Sequence, residues 1–219
     1  MNQANSYDAI MVGGGVMGCA TAYYLMKQDP QLRVAIVEKD PTYEFSSTVL
    51  SDANIRLQFN VKENIQISIY GMEVMARFAE EMAVDGDRPD AAFRQEGNLF
   101  LVDKVGRAEA ERGFALQKSL GCPVEWLNPA QINQRFPLYH VEGLAGGAFC
   151  GLDGTMDAHA VLMGYKNKAV DLGAEYINAE VAEVLSGDGL SLIHISEPTI
   201  LRLKSRINSY SLKKRGGGG

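Results

Sequence analysis

Apolar positions near the N-terminus come in short unbroken runs, and further along they spread out to helical spacing. Tyr7 to Val12, YDAIMV, runs directly into GGGVMG and predicts a buried parallel strand. The next stretch, CATAYYLMKQDP, places Ala20, Tyr23, Tyr24 and Lys27 at helical spacing until Asp29-Pro30 stops the helix. Arg33 to Val37, RVAIV, predicts a second strand, closed by Glu38. Between Asn64 and Met82 the residues Ile65, Ile69, Met72, Met75, Ala76 and Ala79 recur near helical spacing, which predicts a core-facing helix. DGDRPD, Asp85 to Asp90, is a turn-rich break. Beyond it the pattern predicts a strand over 97–102, helices over 106–120 and 128–135, and a helix over 158–172 that Asp157 can cap. AEYINAEVAEV reads as strand; Ser186-Gly187-Asp188-Gly189 is a hairpin turn, after which SLIHI can pair back as a strand.

The unit strand, glycine turn, helix, strand, acid carries candidate chemistry. Gly13 permits a tight turn out of the strand, Gly15 lets backbone approach a pyrophosphate, and Gly18 lets the helix pack close on the sheet. Free N–H groups at the helix start, with the positive end of its dipole, favour phosphate by about 0.3–2 kcal/mol. Glu38 lies 20 residues after Gly18, where a carboxylate accepts hydrogen bonds from ribose hydroxyls and repels a 2′-phosphate. Val16 and Met17 inside the motif and Lys39 after Glu38 complete this part of the candidate cofactor-binding set. FAD and NAD both present a diphosphate and an adenosine ribose, so an NAD-dependent dehydrogenase and a nonenzymatic dinucleotide-binding fragment stay open at this point.

Composition narrows the class. The 219 residues are 46% hydrophobic and 22% charged, suited to one globular domain or a domain and a half, which excludes disorder. The net charge of −6 offers no basic field for nucleic acid or anionic lipid. It is unevenly spread: residues 1–185 hold 15 basic and 25 acidic side chains, and residues 186–219 hold 6 and 2. Cys19, Cys122 and Cys150 show no metal-ligand spacing, so no metal is expected and a reducing compartment fits. The N-terminus lacks a basic leader and its apolar stretch is interrupted by glycines, so the expectation is a cytoplasmic protein without a membrane span. His140 and His159 have no acid or nucleophile partner in the sequence and read as surface or structural residues.

Beyond the glycine motif, EKDPTYEFSSTVLSDANIRLQF, ENIQISIYGMEVMARF, FRQEGNLFLV and GAFCGLDGTMDAHAVLMGY follow in an order that resembles the D-amino-acid oxidase-like FAD oxidoreductases over about residues 5–185. That superfamily includes glycine and sarcosine oxidases and the sarcosine and dimethylglycine dehydrogenases, and the chain looks most like its sarcosine oxidase β-subunit-like branch. The resemblance implies an α/β fold: a Rossmann-like FAD-binding domain built on the GxGxxG βαβ unit, with part of an α+β substrate domain, truncated. Its implied organisation is 1–84 for the first part of the FAD-binding domain, 85–145 for a partial substrate domain and 146–189 for the return to the FAD-binding domain. It further implies FAD as cofactor and a parent enzyme that oxidises the C–N bond of a small amino acid or secondary amine by hydride transfer, the chain itself being an inactive fragment. The electron acceptor and the catalytic residues are not identified. Ser46, Ser47 and Thr48 would lie by the flavin diphosphate, Val181 by the adenine, and Arg56 near the isoalloxazine or the substrate mouth. On the residues alone, a serine-rich loop is also a solvated turn and Arg56 is also a structural ion-pair residue. No His or Cys lies between Phe45 and Phe59, so no covalent flavin tether is expected there.

Residues 190–199, LSLIHISEPT, resemble residue for residue the in-frame translation of a transposase end and sequencing adapter. ILRLKSRINSYSLKK and the terminal GGGG resemble its degraded continuation, and the change in charge sign falls at the same place. The expectation is a non-native tail over 190–219, with KKRGGGG disordered.

Overall fold

The computed structural model describes residues 6–187, 190–196 and 203–205, with side chains through Val184. It divides into two compact units, Met1–Leu50 with Leu162–Gly219, and Ser51–Val161. The expectation for KKRGGGG lies outside the described residues.

The first unit begins with β1 (Ser6–Tyr7) and β2 (Ala9–Val12), a run interrupted at Asp8, then α1 (Val16–Gln28) and β3 (Val34–Glu38). Asp8 breaks the expected single strand: its carboxylate accepts a hydrogen bond from the Arg33 backbone N–H at 2.9 Å. β2 and β3 are parallel with Ala9 opposite Val34 and Val12 opposite Val37, which closes the βαβ unit. β3 is central: its other edge pairs in parallel with a later strand, so Val34, Ala35, Ile36 and Val37 are all buried, as a strand covered on both faces requires. The helix buries Cys19, Ala22, Tyr23 and Met26. Ala20 and Tyr24 are only half-buried and Lys27 is exposed, a correction to the expected stripe.

The second unit starts with β4 (Asn54–Ile55) and α2 (Lys62–Glu81). α2 buries Ile65, Val74 and Phe78, whereas Ala76 and Ala79 are exposed. Val and Phe remove more apolar area from water than alanine and so decide which face turns inward. β5 (Asn98–Asp103), α3 (Arg107–Ser119), β6 (Val124–Leu127), α4 (Pro129–Arg135) and β7 (Leu144–Cys150) follow. The three strands form an antiparallel sheet in the order β5-β7-β6. α4 starts with a reciprocal cap between Asn128 and Gln131 and Pro129 in its first turn. β8 (Gly154–Thr155) pairs with β4. Asp157 accepts a hydrogen bond from the Ala160 N–H at 2.9 Å, the cap expected for α5 (Ala158–Asp171), a helix that crosses the division between units.

The chain then returns to the first unit. β9 (Glu175–Asn178) pairs with β3, Glu38 opposite Asn178. β10 (Glu180–Gly187) turns back antiparallel onto β11 (Leu190–Ser196), Gly187 opposite Leu190. This is the hairpin that the SGDG turn predicts, and β12 (Leu203–Ser205) continues the sheet to β1. Among the described residues no helix is long and apolar enough to cross a membrane, and no cluster of His, Cys, Asp and Glu could hold a metal.

Candidate dinucleotide cleft

A cleft of 720 Å³ opens over the C-terminal end of β2 and the start of α1, wholly inside the first unit. It is lined by Gly13, Gly15, Val16, Met17, Gly18, Glu38, Lys39, Ser46, Ser47 and Thr48, so ten of the candidate residues meet in one place. Val181 does not line it; it is half-buried against the core of Tyr7, Ala35, Val37 and Ile177. Arg56 belongs to the second unit, its guanidinium stacked 4.7 Å from the Phe59 ring centre and 5.3 Å from that of Phe100.

The glycine turn has the geometry that its sequence implies. Gly13 has φ +97°, and its N–H donates to the Val37 carbonyl at 2.8 Å, tying the turn to the end of β3. A Cβ at Gly18 would overlap the Gly13 carbonyl oxygen, so helix and turn meet backbone to backbone. A Cβ at Gly14 would stand 2.9 Å from the Glu38 Cβ, and one at Gly15 would touch the Thr48 hydroxyl. The helix start carries no side-chain cap at Gly15 and no acid in its first turn, so its positive end is met from other segments, by the Glu38 carboxylate at the Gly14 N–H and the Thr48 hydroxyl at the Val16 N–H.

Glu38 bridges the two loops. Its Oε2 accepts from the Gly14 N–H at 2.6 Å and its Oε1 from the Asp40 N–H at 2.9 Å. This charge-assisted pair fixes the acid beside the phosphate turn. From the other side, the Val16 N–H donates to Thr48 Oγ1 at 3.1 Å, which brings the hydroxyl cluster to the helix start. Ser46 also makes a local turn, its hydroxyl accepting from the Val49 N–H at 3.2 Å.

Thr21, Asp40, Tyr43 and Phe45 also line the cleft, and the sequence reading did not single them out. Tyr43 is buried in the left-handed region at φ 60°, a conformation that costs about 1–2 kcal/mol for a residue with a side chain. Its hydroxyl shares a hydrogen bond of 2.7 Å with that of Tyr176, and Lys166 Nζ lies 4.1 Å from the Tyr176 ring centre. Burial and then the Tyr176 bond push the Tyr43 phenol well above its ordinary range, so it stays neutral. These contacts pin the loop carrying the serines. Behind the turn the Cys19 thiol donates to the Gly14 carbonyl at 2.9 Å, and burial pushes its pKa up to about 12. Asp40 is held below the usual carboxylate range, first by the Thr42 hydroxyl. The signal for Tyr43 was a lone aromatic between polar residues, which spacing alone does not mark.

Neither His140 nor His159 joins the cleft: His159 is exposed, and His140 stands 3.4 Å from Glu142 with both side chains open to water.

Comparison with known proteins agrees with this geometry. The profile of the DAO family, described as FAD dependent oxidoreductase, matches residues 8–198. The chain is 36% identical over 205 residues to FAD-dependent oxidoreductase domain-containing protein 1 of Bos taurus, a match covering 87% of this chain and 42% of that relative. It is 28% identical over 203 residues to sarcosine oxidase subunit beta of Arthrobacter sp, covering 89% of this chain and 49% of the relative. The chain therefore spans less than half the length of these relatives. Among solved structures, L-proline dehydrogenase from P. horikoshii superposes with a TM-score of 0.76 at 22% identity, over 91% of this chain and 51% of that one. Glycine oxidase from Geobacillus kaustophilus gives 0.71 at 23% identity, over 87% and 52%. At these identities the structural matches show the fold.

Proposed function

The chain belongs to the DAO family of FAD dependent oxidoreductases, and from that premise we propose that the cleft holds the ADP half of FAD and that the whole protein oxidises a C–N bond in a small amino acid or secondary amine. The family's cofactor is FAD, which decides between the two dinucleotides that the glycine motif left open. The observation that supports the reading is the meeting of Gly13, Gly15, Gly18 and Glu38 in one cleft, with backbone contact where a Cβ would not fit.

Gly15 and the N–H groups at the start of α1 would receive the diphosphate, with Ser46, Ser47 and Thr48 as hydroxyl donors. Glu38, positioned by the Gly14 and Asp40 N–H groups, would accept from the ribose hydroxyls, with Lys39 beside it. Val16 and Met17 would pack along the cofactor, and the backbone at Val181 would face the adenine. FAD supplies a two-electron acceptor for hydride leaving the carbon next to nitrogen. Arg56 would stand at the substrate mouth. The similarity to sarcosine oxidase subunit beta supports the amine class. The buried thiols fit a cytoplasmic, reducing setting.

We take residues 1–84 and 146–189 as the FAD-binding part and 85–145 as the partial substrate domain, with 190–219 foreign to it. On this reading the chain binds FAD without turnover. Anaerobic addition of sarcosine, glycine or proline to the FAD-loaded chain should leave the visible flavin absorbance unchanged. The same addition to a protein of the relatives' full length should bleach it. Bleaching of the short chain would refute its inactivity, and no bleaching of the long one by any of the three would refute the substrate class.

A further inference from the structure

We propose that Tyr43 is a positioning residue for the diphosphate: paired with Tyr176, it sets Ser46, Ser47 and Thr48 against the start of α1 and so raises FAD affinity without bonding to the cofactor itself. The proposal rests on the reading of the cleft as the seat of the ADP half of FAD.

From Lys39 to Leu50 every residue except Tyr43 is exposed or half-buried, and Tyr43 is 1% exposed. A polar loop of this kind has little apolar area to hold it in place, so its one buried side chain is its anchor. That side chain sits on a backbone in the left-handed region, at φ 60°, where glycine or asparagine is the usual occupant. A bulky residue persists there only when its surroundings over-determine it.

Three contacts do so, all within the first unit. The Tyr43 and Tyr176 hydroxyls share a hydrogen bond of 2.7 Å. The Tyr176 ring lies against the glycine turn, since a Cβ at Gly14 would stand 3.3 Å from its Cε2. Lys166 Nζ is 4.1 Å from the Tyr176 ring centre and 5.3 Å from that of Tyr43, a cation shared by both rings. The pair therefore ties the loop to β9 and to the phosphate turn.

Backbone bonds carry that position along the loop. The Tyr43 N–H donates to the Asp40 carbonyl at 3.1 Å, and the Ser46 N–H donates to the Tyr43 carbonyl at 3.0 Å. The Asp40 N–H is bonded to Glu38, and Thr48 Oγ1 accepts from the Val16 N–H at 3.1 Å. The segment from Glu38 to Thr48 thus closes on the glycine turn at Gly14 and on α1 at Val16, with Tyr43 as the attachment between those two ends. Its hydroxyl is directed at Tyr176, so Tyr43 acts on the cofactor through the loop hydroxyls.

Equilibrium titration of the purified 219-residue chain and its variants with FAD tests this. Tyr43→Phe and Tyr176→Phe each remove one hydroxyl of the pair and orphan the other, and each should weaken FAD by about fivefold or more. The double variant removes both hydroxyls and should bind no more weakly than the poorer single, because a polar pair replaced by apolar groups of the same shape is close to neutral. In a Thr48→Val background the effect of Tyr43→Phe should shrink to under about twofold, a coupling that a merely structural tyrosine does not show. If Tyr43→Phe does not fold, Tyr176→Phe breaks the same bond from β9 and takes its place in the Thr48 comparison. FAD affinity unchanged in either folded single variant, losses that multiply in the double variant, or a loss undiminished by Thr48→Val would each overturn the proposal. Absence of saturable FAD binding by the parent chain would instead remove the cleft reading and the proposal with it, so the two failures are distinct.

Discussion

Gly18 bears the sharpest single-residue consequence. Because a Cβ there would meet the Gly13 carbonyl oxygen, Gly18→Ala must push α1 away from the turn. We expect a stability loss of about 1–3 kcal/mol, the usual cost of overpacking, together with a clear loss of FAD affinity in a fluorescence-quenching titration. Gly71→Ala on α2 is the control, since a Cβ there meets nothing within 4 Å. It should leave affinity unchanged and raise stability by about 0.4–1 kcal/mol. Equal effects of the two would show that the turn is not a close-packed phosphate cradle. Gly13, Gly15, Gly18 and Glu38 were legible because each task tolerates so few residue types. Tyr43 was not, because its position depends on Tyr176, 133 residues away in the chain.

At the scale of elements, the buried thiols report on packing behind α1 and β7. Cys19 and Cys150 are fully buried, with pKa values pushed up to about 12 and about 11 by loss of solvation. Neither should react with iodoacetamide in the folded chain at neutral pH, and both should react at once in denaturant. Rapid labelling of the native chain would contradict the packing. The alkaline consequence follows in sign. Unfolded thiols ionise near 9.0 while the folded ones hold their protons, so stability present below that pH is lost progressively as pH rises toward 12. Denaturant midpoints measured across that range should fall.

The element pattern also shows what hydrophobic spacing can convey. A fully buried strand such as β3 declares itself as an unbroken apolar run, whereas α2 has apolar residues on more than one face. There the larger Val74 and Phe78, not the evenly spaced Ala76 and Ala79, chose the inward face. The hairpin of β10 and β11 followed from its turn residues, although β11 lies in the segment that resembles adapter sequence. Among the described residues the cleft lining ends at position 48, and the strand carrying Val181 loses only its partner β11, so removing residues 190–219 should weaken FAD by no more than about tenfold, about 1.4 kcal/mol. Loss of FAD binding on trimming would contradict the separation of tail and site.

For the whole molecule, the two compact units hold different features: the lining of the candidate dinucleotide cleft lies within the first, and Arg56 with an aromatic cavity lies in the second. Family membership was legible in the order of motifs along the chain. The exposed start of the turn and helix, with Val12, Met17 and Phe45 open to solvent around it, is the surface a bound dinucleotide would cover. The most direct test is therefore equilibrium titration of the purified 219-residue chain with FAD, NAD and FMN in parallel. Saturable one-to-one binding of FAD is predicted. FMN should bind at least about tenfold more weakly, since it lacks the adenosine ribose assigned to Glu38 and loses charge-assisted hydrogen bonds of about 1.5–3 kcal/mol. NAD, which shares the ADP half, should bind comparably to FAD. Binding of FMN as tight as FAD, or no saturable binding of FAD, would contradict the assignment of this cleft to the ADP half of FAD.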